Sequence, residues 1–125
     1  MKIPSRLFFC ALILFCVACS NDSEEDLFGV QECDETEVSY SARIAPILEG
    51  NCAFSGCHSA NFPAVGINLS SFTTVSDYLA IDQARFLGSI NHESGFSPMP
   101  RSADKLSSCD IYYIETWIAE GANNN

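Results

Sequence analysis

Apolar and polar positions divide the chain into stretches of distinct pattern. Leu7 to Ala18 is an unbroken apolar run behind a basic start, Lys2 and Arg6. Ser20 to Glu37 is polar and acidic, with no apolar period beyond the short Leu27-Phe28-Gly29-Val30 patch. From Ser39 to Glu49, Ile44, Ile47 and Leu48 recur at helical spacing, with Tyr40 and Ala45 near the same side. Pro46 belongs either in the first turn of a short helix beginning near Ile44 or at the break of a longer one, and Gly50 ends that helix. Residues 59–71 read as loop, punctuated by Pro63, Gly66, Ser70 and Ser71. Thr73 to Phe86 predicts a second helix, capped by Ser76 or Asp77, with Tyr78, Leu79, Ile81 and Phe86 as apolar contacts and Gly88 following its end. Ser89 to Arg101 returns to loop. Leu106 to Gly121 is the clearest helix: Ser107 and Asp110 approximate a capping box, and Ile111, Ile114, Trp117 and Ile118 form one stripe. Asn123 to Asn125 reads as tail.

The amino-terminal run is too short to cross a bilayer as a helix and ends at Cys16-Val17-Ala18-Cys19. This resembles a bacterial lipobox, which implies a signal peptide over 1–18, cleavage before Cys19 and lipid on Cys19; an ordinary secretory signal is the alternative. Either places the domain outside the cytoplasm. The expected organisation is signal 1–18, an acidic flexible tether 19–37 and one domain over 38–125. The lipid would anchor the chain to a bacterial membrane, expectedly the outer membrane, on its periplasmic face or at the cell surface. Ser20-Asn21-Asp22-Ser23-Glu24-Glu25-Asp26 resembles in kind the acidic signal that sends some lipoproteins to the surface; a solvated spacer is the other reading.

The domain is organised around Asn51-Cys52-Ala53-Phe54-Ser55-Gly56-Cys57-His58. Two thiols with a histidine directly after the second is the arrangement that attaches haem covalently. Each S–H adds across a haem vinyl group, and the following imidazole then lies under the iron. Four residues separate these cysteines where two are commonest, and the extra residues, Gly56 among them, are expected to bulge outward. Downstream, a backbone carbonyl in the loop after His58 is expected to accept the other ring N–H of His58 and fix its orientation. The second axial ligand is expected to be Met99, the only methionine beyond Met1, bracketed by Pro98 and Pro100; His92 is its competitor.

This changes the reading of the seven cysteines. Cys10 and Cys16 leave with the signal, Cys19 takes lipid, and Cys52 and Cys57 take haem. Cys33 and Cys109 remain as an even pair in an oxidising compartment, expected to form a disulfide, with separate thiols or pairing to another chain as alternatives. Charge narrows the partners. After residue 19 only Arg43, Arg85, Arg101 and Lys105 oppose sixteen acids, eight of them between Asp22 and Glu37. Such a surface makes nucleic acid and anionic lipid poor partners and favours redox proteins with basic docking faces.

Together, the short first helix, the attachment sequence, the middle helix, the Met99-Pro100 loop and a last helix ending Trp117-Ile118-Ala119-Glu120-Gly121-Ala122 resemble small monohaem c-type cytochromes, those of bacterial lipoproteins above all. The resemblance spans about Val38 to Asn124. It implies an all-α, class I-like cytochrome c fold with crossing first and last helices, one covalent haem c on Cys52 and Cys57, His58 as proximal ligand and Met99 as distal ligand. The expected function is electron transfer rather than enzymatic turnover. Two other classes stay open. One is a haem enzyme or sensor with an open sixth position. The other is a non-haem binding domain, holding zinc through Cys52, Cys57, His58 and Cys109 or stapled by a Cys52–Cys57 disulfide.

Overall fold

The computed structural model describes residues 33–34, 38–101 and 103–125. The expected signal peptide, the expected lipidation site Cys19 and all of the expected tether except Cys33 and Asp34 lie outside the described residues. The described part is all-α and contains no strand. A π-helical turn, Tyr40–Ile44, runs directly into α1, Ala45–Asn51. A 3-10 turn, Ala64–Gly66, interrupts the loop that follows. Helix α2 spans Phe72–Ile90 and α3 spans Ser108–Ala119.

Local chemistry explains most of these boundaries. Ser39 opens the π-turn, its hydroxyl accepting from the Ala42 amide at 3.2 Å. Pro46 falls in the first turn of α1, where its missing N–H costs nothing. Ser107 opens α3 by accepting from the Asp110 amide at 3.1 Å, as the capping pattern predicts.

Helix α2 departs from its expected form. Its cap is Ser71, which accepts from the Thr74 amide, rather than Ser76 or Asp77. Gly88 does not follow its end but lies inside the helix, which continues to Ile90. A kink at Asp82 (φ −151°, ψ 63°) divides α2, and the Asp82 carboxylate caps the second half: Oδ1 accepts from the Arg85 amide at 3.0 Å and Oδ2 from Arg85 Nε at 2.7 Å. Those two hydrogen bonds hold the Asp82 carboxyl below its ordinary range.

The core lies where the π-turn, α1, α2 and α3 meet. Ile44, Leu48, Val75, Ile114 and Trp117 are its most completely buried side chains. Tyr40, Phe72 and Trp117 form an aromatic cluster with centroid separations of 5.1 to 6.5 Å. Arg43 lies over the Tyr113 ring at 5.1 Å, so the start of the helical region meets the last helix. Ile81, expected to be an apolar contact, is instead 82% exposed because the helix turns at the next residue.

The carboxyl-terminal residues are not a free tail. The Asn125 carbonyl accepts from the Ser41 amide at 3.0 Å and its side-chain oxygen from the Tyr40 amide at 2.8 Å. The Trp117 indole donates to the Asn123 carbonyl at 2.9 Å, giving a buried N–H its partner.

Cys33 and Cys109 form a disulfide across 76 positions, with a Cα separation of 5.3 Å. Asp34 pairs with Arg43 at 2.8 Å. The folded unit therefore takes in Cys33 and Asp34, and its boundary is earlier than residue 38. No helix among the described residues is long and apolar enough to cross a membrane.

Candidate functional site

The segment after α1 is shaped by backbone hydrogen bonds. Cys52 is the C-cap of α1, its amide donating to the Leu48 carbonyl. The chain then leaves the helix and turns: the Cys57 amide donates to the Phe54 carbonyl at 3.0 Å and the His58 amide to the Cys52 carbonyl at 2.9 Å. The second bond closes the four-residue insert at its base. Phe54, Ser55 and Gly56 stand exposed, and Gly56 adopts φ +87°, which only glycine takes without strain. The longer spacing is thus accommodated by an outward bulge, while Cys52 and His58 remain joined backbone to backbone.

His58 is fixed in a defined tautomer. Its Nδ1 lies 2.9 Å from the Ile67 carbonyl, and because a carbonyl only accepts, Nδ1 carries the proton. The lone pair of the neutral ring is left on Nε2, the form in which histidine binds a metal. The loop that supplies this carbonyl is itself tied down, with the Leu69 amide donating to the His58 carbonyl and the Ala64 amide to the Cys57 carbonyl, each at 2.8 Å. Val65 in that loop takes a left-handed conformation, φ 48°, on the way back to Ile67.

Two cavities, about 680 Å³ and about 440 Å³, meet around these residues. Both are lined by Cys52, His58, Val65, Met99 and Arg101. Cys57 and Phe54 add to the larger one, and Tyr78, Phe86 and Ile90 of α2 to the smaller. The structure therefore brings Cys52, Cys57, His58 and Met99 to one cleft, although Met99 lies about forty positions downstream of the motif. The volume is in the range of cofactor-binding clefts.

Cys52 and Cys57 are both free thiols, so no disulfide staples this segment. Cys52 is 8% exposed, and burial, with the neighbouring Cys57 adding to it, pushes its thiol up to about 11. Cys109 is consumed by its disulfide, which removes a member of the zinc set. Among the described residues no group of three His, Cys, Asp or Glu side chains is placed to hold a metal ion. His92 lines neither cavity, and its Nε2 lies 3.0 Å from the Met99 carbonyl.

The donor set fits a covalent haem better than a bare ion. Two unpaired thiols stand on the wall of an apolar cleft, an imidazole has its Nδ1 proton spent on a carbonyl, and a thioether lines the same space. Of the four basic residues after Cys19, three also line the cavities: Arg85 the smaller, Lys105 the larger and Arg101 both. Among the described residues Arg101 and Lys105 have no acidic partner, while Asp104 and Asp110 stand on the larger cavity's wall.

Sequence reasoning missed the Asp82 cap and its Arg85 partner, which the hydrophobic period does not signal. It also missed the packing of Phe96 on Gly88, for which the sequence carries no local signal. No protein-family model, curated protein or solved structure matches this chain.

Proposed function

We propose that this protein is an extracytoplasmic, lipid-anchored electron carrier holding one haem c. In this reading Cys52 and Cys57 form the two thioethers, His58 is the proximal ligand and Met99 the distal ligand. The observation that carries it is the His58–Ile67 hydrogen bond: it commits Nδ1 and leaves Nε2 as the free donor on a cleft shared with Met99 and both unpaired thiols.

Haem supplies reversible one-electron chemistry when bound. The residues do the rest. Ile67 holds the imidazole in one orientation, Met99 offers a thioether that favours the ferrous state relative to a second imidazole, and the α2 side chains limit water at the buried end. Arg101 and Lys105 offer positive charge to carboxylates at the cleft rim. The acidic surface would steer basic-faced redox partners, and the lipid at Cys19 would tether the carrier to the membrane.

The test is to produce the chain where haem attachment is available, denature it on a gel and stain for retained haem. Haem that stays with the band and is lost when Cys52 and Cys57 are replaced by serine supports the assignment. A band without haem from the parent chain overturns it. Met99→Ala then separates a carrier from an open-site haem protein: a carrier loses its six-coordinate spectrum and shifts its potential, whereas an open-site protein changes in neither spectrum nor potential.

A further inference from the structure

Met99 sits between two prolines, and neither Pro98 nor Pro100 has an N–H with which to anchor the loop. Its backbone is nevertheless held on both sides. The Met99 amide donates to the Ser89 carbonyl at 3.0 Å, in the last turn of α2, and the Met99 carbonyl faces His92 Nε2 at 3.0 Å. Since a carbonyl only accepts, Nε2 carries the proton and is the donor. The His92 amide also donates to the Ser89 carbonyl, at 3.3 Å, so one carbonyl gathers the backbone of both residues. His92 adopts φ 56°, a left-handed conformation that costs a non-glycine residue energy and must be held in place by its surroundings. Its ring lines neither cavity, so the contact it makes is with the backbone of Met99 and not with the cleft.

We infer that His92 is the positioning residue of the distal side: its Nε2–H holds the Met99 carbonyl and so keeps the Met99 thioether at the cleft. The inference rests on the haem reading above. It assigns the second histidine a role as a hydrogen-bond donor to the ligand's own backbone, and it removes His92 as a rival ligand because its ring lines neither cavity. The same bond stands in for the anchoring that the flanking prolines cannot provide.

The experiment uses the full chain matured with haem. Imidazole is titrated into the ferric protein, where it competes with Met99 for the sixth position, and the parent is compared with His92→Ala, His92→Gln, Met99→Ala and the His92→Ala/Met99→Ala double variant. Loss of one neutral hydrogen bond holding the ligand should tighten imidazole binding roughly three- to tenfold in His92→Ala. His92→Gln, whose amide can still donate, should return towards the parent value. In the Met99→Ala background, removing His92 should change nothing further, because the group it positions is gone.

Imidazole affinity unchanged in His92→Ala, or an equal effect in the Met99→Ala background, overturns the inference while leaving the haem reading standing. A sixth position emptied by His92→Ala but not by Met99→Ala makes His92 the ligand and overturns it as well. A parent chain that retains no haem brings down the site assignment itself, and the inference with it. If His92→Ala fails to fold, His92→Asn, which tolerates the left-handed backbone but is too short to reach as the imidazole does, decides by the same titration: tighter imidazole binding than in the parent supports the role, and parent-like affinity rejects it.

Discussion

The two histidine-bearing loops make the same kind of contact with opposite results. After α1, His58 gives its Nδ1 proton to the Ile67 carbonyl; after α2, His92 gives its Nε2 proton to the Met99 carbonyl. In the first loop the ring lines both cavities. In the second the ring lines neither. Whether the ring stands on the cleft or off it decides whether a histidine is free to bind something there or serves to hold something else. The loops also differ in what stiffens them. The first is braced by a chain of backbone hydrogen bonds over Cys52 to Leu69, whereas the second adds packing to its backbone hydrogen bonds, with Phe96 lying against Gly88 of α2 where any side chain would overlap its ring.

The largest effect available tests whether the two loops belong to one cooperative unit. The Cys33–Cys109 disulfide closes a loop spanning 76 positions, and its removal should destabilise the domain by about 4 kcal/mol on the chain-entropy account. Urea unfolding of a Cys33→Ser/Cys109→Ser variant, followed by probes in each loop, should show both transitions moving together. Separate midpoints would mean that the loops unfold independently and that the comparison concerns two units.

A pH experiment addresses the first loop alone, in the chain before haem attachment. Burial raises the Cys52 thiol to about 11, above the ordinary value of 9.0. Below about pH 9 the thiol keeps its proton folded or unfolded, so the full stability is present. Between about pH 9 and 11 the unfolded chain ionises first and stability falls, by roughly 3 kcal/mol in all. Urea midpoints at pH 8 and pH 11 should diverge more in the parent than in Cys52→Ser, where this contribution is gone. Equal divergence would mean that Cys52 is not held in the buried position described. Tyr40, also raised by burial, contributes in the same direction in both chains and cancels from the difference.

The second loop is addressed by Gly88→Ala. A Cβ there would run into the Phe96 ring, so the loop must shift. Overpacking of this kind costs about 1–3 kcal/mol, offset by about 1 kcal/mol of helix propensity. The expected net loss is about 1 kcal/mol by denaturant unfolding, accompanied in the haem-loaded protein by tighter imidazole binding as Met99 loosens. A more stable Gly88→Ala protein with unchanged ligand binding would mean that Phe96 does not brace the loop. Replacing Ser107 by alanine serves as the reference point outside both loops. Losing the cap of α3 should cost about 1 kcal/mol in the same unfolding assay.

Much of the site was legible in order along the chain. The punctuated loop after Cys57 and His58 was expected to supply a carbonyl to the ring, and Ile67 is that carbonyl. The outward bulge of Ser55-Gly56 followed from having two residues more than the common spacing and a glycine among them. The path of α2 was not legible in the same way. Its apolar spacing runs through Ile81 without announcing the Asp82 kink, because a side-chain cap can restart a helix without any change in hydrophobic period. Gly88 reads as a stop signal, yet it is a helix residue kept small for Phe96, eight positions on and outside the helix.

What the sequence determined by itself is therefore local: the helices around Ile44, Leu79 and Ile114, the caps at Ser39 and Ser107, and the joining of two thiols to one imidazole. These depend on residues within a few positions of one another. The tertiary structure decided the pairing of Cys33 with Cys109, the seating of Trp117 on the Asn123 carbonyl, the arrival of Met99 at the cleft that holds His58, and the turning of His92 away from it. Each joins groups through space; the chain alone offered the Cys33–Cys109 pair and the approach of Met99 to His58 only as expectations among alternatives, and the geometry of each is fixed by which hydrogen bonds and apolar contacts the packed helices leave to be satisfied.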